Sequence, residues 1–192
     1  MTYFASTIPT YKLKHLIERE AQGFRAFLGL SPDEPVDSIA IADWLGIDVT
    51  YSDDLVHLPA ATRQALVREH GTQWSGLTCH FPNGIIVTIL NPSHSPRRRQ
   101  ATLMEEVAHI HLHHAPSQIA TDSMTGLMAR TYDARTEMEA YWFGSATLAP
   151  KCGLLALYKQ GFTPMEIAEH YSVSSELITF RTNLCGLRKL AG

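Results

Sequence analysis

Cysteine is scarce in this chain: Cys79, Cys152 and Cys185 are the only three among 192 residues, widely separated and without any CxxC spacing. That argues against a disulfide framework and against a cysteine-built zinc site, and it suits a reducing cytoplasm. Charge is modest too, at 18% with a formal value of -3, so no strong field points to nucleic acid or to a membrane surface. No stretch of about 18 apolar residues occurs, and the first residues lack a basic segment followed by an apolar one, so neither a membrane span nor an export signal is expected. Internal repeats, low-complexity tracts and Gly/Ser linkers are also missing. What remains is a globular composition, 45% hydrophobic, of a length that suits one domain or one domain with a small helical appendage.

Helical spacing over Tyr11 to Leu30 ends at Gly29-Leu30-Ser31-Pro32, and a second helix is predicted from Val36 to Leu45 with Asp37-Ser38 as cap and Gly46 as stop. Ile47 to Tyr51 alternates like a half-buried strand. Ala60 to His70 is ambiguous between helix and loop. Two strands, Trp74 to Phe81 and Ile85 to Leu90, flank Pro82-Asn83-Gly84, whose Asn-Gly pair signals a hairpin. The chain then turns helical, over Arg98 to His114 and Arg135 to Leu148, with a polar connection from Ala115 to Asp133. The fold class is therefore α+β, a small antiparallel or mixed sheet early and helices later.

Chemistry concentrates on the helix after the hairpin. Residues four apart share a helix face, so Glu105, His109 and His113 form one stripe with Glu106 beside it. In HExxH peptidases two histidines at this spacing hold zinc, and the glutamate after the first ligand takes a proton from water. Glu106 and His109 occupy the second and last positions of that pattern, and Glu105 stands at the first. The flanking Leu103, Met104, Val107, Ala108, Ile110 and Leu112 are apolar, and ionisable groups on a mostly buried helix need partners, which a metal supplies. A rival pair, His109 with His113, would put Ile110 at the base position. Glu105 and His113 lie roughly 12 Å apart along the axis and do not share one ion. His111 and His114 are expected at the surface.

The run Arg98-Arg99-Gln100-Ala101-Thr102-Leu103-Met104-Glu105-Glu106-Val107-Ala108-His109 resembles the Arg-x-Arg-Phe-Thr-Leu-Ala-His-Glu-Leu-x-His segment of the ImmA/IrrE-type metallopeptidases. Glu137-Met138-Glu139-Ala140-Tyr141-Trp142-Phe143 through Leu148-Ala149-Pro150 is similar to the helix that carries that family's third ligand, a glutamate. Pro35 to Ala40 and Leu45-Gly46-Ile47 resemble its N-terminal helix and first strand. The resemblance implies a metallopeptidase-like helical core in which Glu105, His109 and Glu137 hold the ion, Glu139 being the alternative to Glu137, and Glu106 is the catalytic base. It further implies zinc as cofactor and a regulatory protein as substrate, often a helix-turn-helix repressor. The departures are Gln100 for arginine, Ala101 for phenylalanine, Tyr141 for asparagine and Glu105 for the first zinc histidine. Two carboxylates and one imidazole cancel the charge of a divalent ion, making its water less acidic and shifting preference toward harder ions such as manganese. A non-catalytic regulatory module on the same fold is the alternative expectation.

Thr163-Pro164-Met165-Glu166 carries a capping box with proline at the first helical position, and Ser174 caps a further helix, so the end of the chain reads as a helix-turn-helix-like pair. Arg181, Arg188 and Lys189 are a thin basic patch beside Glu166, Glu169 and Glu176, and nucleic acid is not the expected partner. The expected organisation is a metallopeptidase-like domain over residues 1–160 with a helical extension over 161–192 packed on it. One extended peptide pairing with a sheet edge is also expected, with Ile85 to Leu90 as a candidate edge strand or, equally, a core strand.

Overall fold

The computed structural model describes residues 10–56, 60, 74–115, 119–121, 128–130 and 133–190, with backbone alone at 119–121 and 128–130. Helix α1, Thr10–Phe27, buries Leu13, Ile17, Ala21 and Phe24, a stripe at spacings of three and four that faces the core. It ends where Gly29 adopts φ 74° and Leu30 N–H reaches back to the Arg25 carbonyl at 2.9 Å, the paired closing bonds of a left-handed helix cap. Helix α2, Ser38–Trp44, is capped by the Asp37 carboxylate, which accepts from the Ile39 and Ala40 amides at 2.9 and 3.2 Å.

Strand β1 (Ile47–Tyr51), strand β2 (Gly76–His80) and strand β3 (Ile86–Leu90) form a mixed sheet in the order β1-β3-β2, with β1 parallel and β2 antiparallel to β3. Asn83 accepts from the Ile85 amide and Gly84 sits at φ 85°, so the turn forms as its Asn-Gly signal predicts. Ile86–Leu90 is the central strand, not an edge, and it buries Thr88 and Leu90. Among the described residues β2 pairs only with β3, which makes β2 an edge strand. The ambiguous stretch Ala60 to His70 lies outside the described residues apart from Ala60.

Helix α3, Pro96–His111, starts on Ser95, whose hydroxyl accepts from Arg98 N–H, with Pro96 in the first turn. Its Leu103, Met104, Val107 and Ala108 are fully buried between α2, the sheet and the next long helix. The predicted polar connection differs: it contains a small antiparallel pair, β4 (Ile119–Thr121) and β5 (Met128–Arg130). These strands are three residues each, too short for alternation to mark them in a sequence. Helix α4, Ala134–Leu148, is capped by Asp133 and packs on both α3 and α1. A helix not foreseen in the sequence, α5 (Lys151–Lys159), follows directly, because Pro150 closes α4 and also serves as the N-cap of α5.

Helix α6, Pro164–His170, has the complete capping box, and helix α7, Ser175–Leu184, is capped by Ser174. Ile167, Ala168, Val173, Leu177 and Ile178 are buried, so these helices extend the main core. Arg181 is 1% exposed, donates to the Ala149 carbonyl at 2.9 Å and pairs with Glu18. It therefore staples α7 to α1 and α4 and does not face phosphate, contrary to the expectation that it joined a surface patch. Among the described residues no helix is long and apolar enough to cross a membrane. The observed architecture is α+β, as the element pattern predicts.

Candidate metal centre

Helices α3 and α4 run antiparallel, since Met104 and Glu105 lie against Gly144 while His109 lies against Glu137. The approach is close because position 144 has no side chain: a Cβ there would sit 3.1 Å from the Met104 carbonyl oxygen and 3.2 Å from the Glu105 nitrogen. That proximity brings the acidic face of α3 onto α4. His109 Nε2 faces Glu137 Oε2 at 3.6 Å, with the two side chains 19% and 26% exposed. Two ligands on one tetrahedral zinc, at bonds near 2.1 Å, are themselves about 3.4 Å apart, close to the separation of this pair. Among the described residues no group of three His, Cys, Asp or Glu side chains is gathered closely enough to hold a metal.

Glu105 lies one helical turn before His109 and is half-buried. Its charge reaches Tyr141, whose phenol is pushed up from its ordinary value first by burial and then by Glu105. Tyr141 packs its ring on Phe180 of α7 at 4.7 Å, so the residue replacing the family's asparagine ties the site to the C-terminal helices. Glu106 reaches toward the start of β2. A Cβ on Gly76 would lie 3.6 Å from Glu106 Oε1 and only 2.7 Å from Thr102 Cγ2, so glycine at 76 lets the edge strand pass directly over α3 beside Glu106.

The end of α3 turns His113 out of the stripe that Glu105 and His109 share. His113 N–H bonds to the Ile110 carbonyl at 3.0 Å and His114 N–H to the His109 carbonyl at 2.9 Å, with His113 left-handed at φ 53°. This is the same double-bonded cap seen after α1, with histidine in the position usually held by glycine. His113 is exposed beyond the helix and no longer continues the stripe of Glu105 and His109. His114, in contrast, folds back under the last turn. Its side chain is 1% exposed, its Nδ1 lies 3.1 Å from His109 Nδ1, and its Nε2 lies 3.4 Å from Glu139 Oε2. Glu139 is 4% exposed and its Oε1 accepts from Arg135 Nε at 2.8 Å. Burial pulls the His114 imidazole below its ordinary value, with Glu139 opposing.

His111 is not a surface residue either. It stacks on Phe143 at 4.9 Å, touches Phe24, and lies 3.4 Å from Glu20 Oε1, with burial again lowering its imidazole against the pull of that carboxylate. Helix periodicity predicts both histidines outside, because it places them off the metal stripe. The off-stripe direction of this helix is core on one side, and the reversal at His113 carries position 114 inward. Glu137 meets His109, whereas Glu139, its alternative as a ligand, is engaged by Arg135 and His114. Of the residues around the site, His114, Arg135, Gly144 and Gly76 carried no sequence signal; the i,i+4 pairing of Arg135 with Glu139 was the one regularity available.

A family model described as Peptidase M78, IrrE N-terminal-like domain, matches residues 43–183. The matched span runs from the end of α2 through the sheet, α3 and α4 and nearly to the end of α7. No curated protein and no solved structure matches the chain.

Proposed function

The chain belongs to the ImmA/IrrE-type family of metal-dependent peptidases, and from that premise we propose that it is an endopeptidase whose ion is held by Glu105, His109 and Glu137, with Glu106 as base. The observation that carries the reading is the facing of His109 Nε2 and Glu137 Oε2 at 3.6 Å, the separation two ligands of one ion require. Zinc is the metal expected from the imidazole, with manganese favoured by the two carboxylates as the alternative. When bound, the ion supplies Lewis-acid polarisation of the scissile carbonyl.

The protein's own groups do the rest. Glu106, one position after Glu105 and beside the edge strand, accepts the proton of the attacking water and passes it to the leaving amine. An extended peptide pairing with β2 runs past Glu106, held by main-chain hydrogen bonds to the flank of Gly76–His80 that no described strand pairs with. Leu77 is 41% exposed on that strand and offers an apolar contact to a substrate side chain. The substrate class follows from family membership alone: a regulatory protein, a helix-turn-helix repressor in the first instance, cleaved to release transcription in a cytoplasmic stress response.

A second reading is a regulatory module without turnover, favoured by Glu105 where the family carries a histidine. The test is incubation of a candidate repressor with wild-type protein and with Glu106→Gln, each loaded with zinc or manganese. Cleavage by wild type and a loss of at least 100-fold in Glu106→Gln support the peptidase. Metal-replete wild type that binds the repressor and never cuts it leaves the module reading.

A further inference from the structure

We propose that His114 and Glu139 are positioning residues that hold His109 in the tautomer with its proton on Nδ1, so that Nε2 presents a lone pair toward Glu137. The proposal rests on the reading of His109 as a metal ligand through Nε2. A neutral imidazole carries one N–H, and a histidine that ligates through one nitrogen must give the proton on the other to an acceptor. Here that acceptor is another imidazole. His109 Nδ1 is 3.1 Å from His114 Nδ1, a hydrogen-bond distance that requires one nitrogen to donate and the other to accept.

Which one donates is decided at the far end of the chain. Among the described residues His114 Nε2 is a buried nitrogen without an aligned hydrogen-bond partner, and the carboxylate it faces is Glu139 Oε2 at 3.4 Å. Arg135 Nε donates to the other carboxylate oxygen, Oε1, at 2.8 Å, which leaves Oε2 turned toward His114 as an acceptor. A proton on His114 Nε2 therefore faces an anion, whereas a lone pair there would face it unfavourably. With the proton on Nε2, His114 Nδ1 becomes the acceptor, and His109 must donate from Nδ1. The competing arrangement puts the His109 proton on Nε2, toward Glu137. That contact is longer, 3.6 Å against 3.1 Å, and Glu137 is 26% exposed against 5% for Glu139. Solvent screens the outer carboxylate more than the buried one, so the inward orientation prevails.

Backbone geometry makes the contact possible. In a left-handed helix cap the residue two beyond the helix-ending position packs on the residue of the last turn, a contact that is commonly apolar. In this chain that pair is His114 and His109, and a leucine at 114 would fill the space without presenting an acceptor. The replacement of an apolar plug by an imidazole backed by a buried carboxylate is what assigns the pair a role beyond capping.

The test combines two readouts on the full chain. Long-range proton–nitrogen NMR of the metal-free protein reads the His109 tautomer directly, and competition against a chromophoric chelator reads zinc affinity. The expected result is Nδ1–H on His109 in wild type, a 10–100-fold weaker zinc affinity in His114→Phe, and recovery to within a few-fold in His114→Asn, whose carbonyl can accept where Nδ1 does. Zinc affinity unchanged in a folded His114→Phe, or a proton found on His109 Nε2 in wild type, overturns the proposal. If wild type takes up no zinc, the ligand reading fails, and the NMR measurement still decides whether the relay exists.

Discussion

Replacing Gly144 by alanine places a methyl carbon 3.1 Å from the Met104 carbonyl oxygen and 3.2 Å from the Glu105 nitrogen. Both atoms belong to the backbone of α3, whose neighbouring Met104 and Val107 side chains are fully buried, so α3 cannot yield locally. Overpacking of this kind costs about 1–3 kcal/mol, while removing a helix-interior glycine returns up to about 1 kcal/mol. Gly23 on α1 supplies the control: it is exposed, in a helix, and a Cβ there meets nothing within 4 Å. Gly23→Ala is expected to stabilise by roughly 0.5–1 kcal/mol, and Gly144→Ala to destabilise by about 1 kcal/mol, a fall of about 2–4 °C in melting temperature for a chain of this size. Urea denaturation of the two variants at equal protein concentration measures the difference, in which the propensity gain cancels. Because the same clash pushes Glu105 away from α4, Gly144→Ala should also weaken metal binding while Gly23→Ala leaves it unchanged. Equal stabilisation by both substitutions would refute the claim that glycine sets the α3–α4 approach.

His113→Gly should raise stability by roughly 0.5–1 kcal/mol, since it relieves a left-handed non-glycine residue at a helix cap, and should leave metal content unaltered; a loss of metal would return His113 to the ligand set. The Glu166 carboxylate is held below its ordinary 4.5, first by the Thr163 amide and then by its hydroxyl. A carboxylate depressed in the folded state contributes stability above its unfolded value that is lost as pH falls through the folded one. The melting-temperature gap between wild type and Glu166→Gln should therefore be open at neutral pH and close below the carboxylate range; a gap independent of pH would contradict the capping role.

The elements with strong local signals were legible in the sequence. Asp37 and Ser174 cap helices as their positions suggest, the Asn83-Gly84 turn forms, and the capping box at Thr163 and Glu166 is complete. The pairing order of the sheet was not, because which of two similar strands lies at the edge depends on a parallel partner, β1, brought from far along the chain. Helix α5 leaves little mark in the sequence because a single proline at 150 both ends one helix and begins the next. At the site, spacing and family resemblance point to Glu105, Glu106, His109 and Glu137; the structure sets His109 against Glu137 at 3.6 Å and, among the described residues, gathers no third ligand beside them. The inward His114 was hidden because a left-handed turn at a histidine, unlike one at glycine, leaves little mark in sequence. Arg181 is hidden for a related reason: an arginine on a polar-looking helix reads as surface, and its partner Glu18 lies 163 residues away in the chain.

The most direct test of the central claim is the metal content of the protein purified without added metal, by elemental analysis, in parallel with Glu137→Ala and His109→Ala. The account predicts about one divalent ion per chain in wild type, zinc in the first instance, and its loss in both variants with the fold retained. Wild-type protein that holds no ion even after loading with zinc and manganese would contradict it.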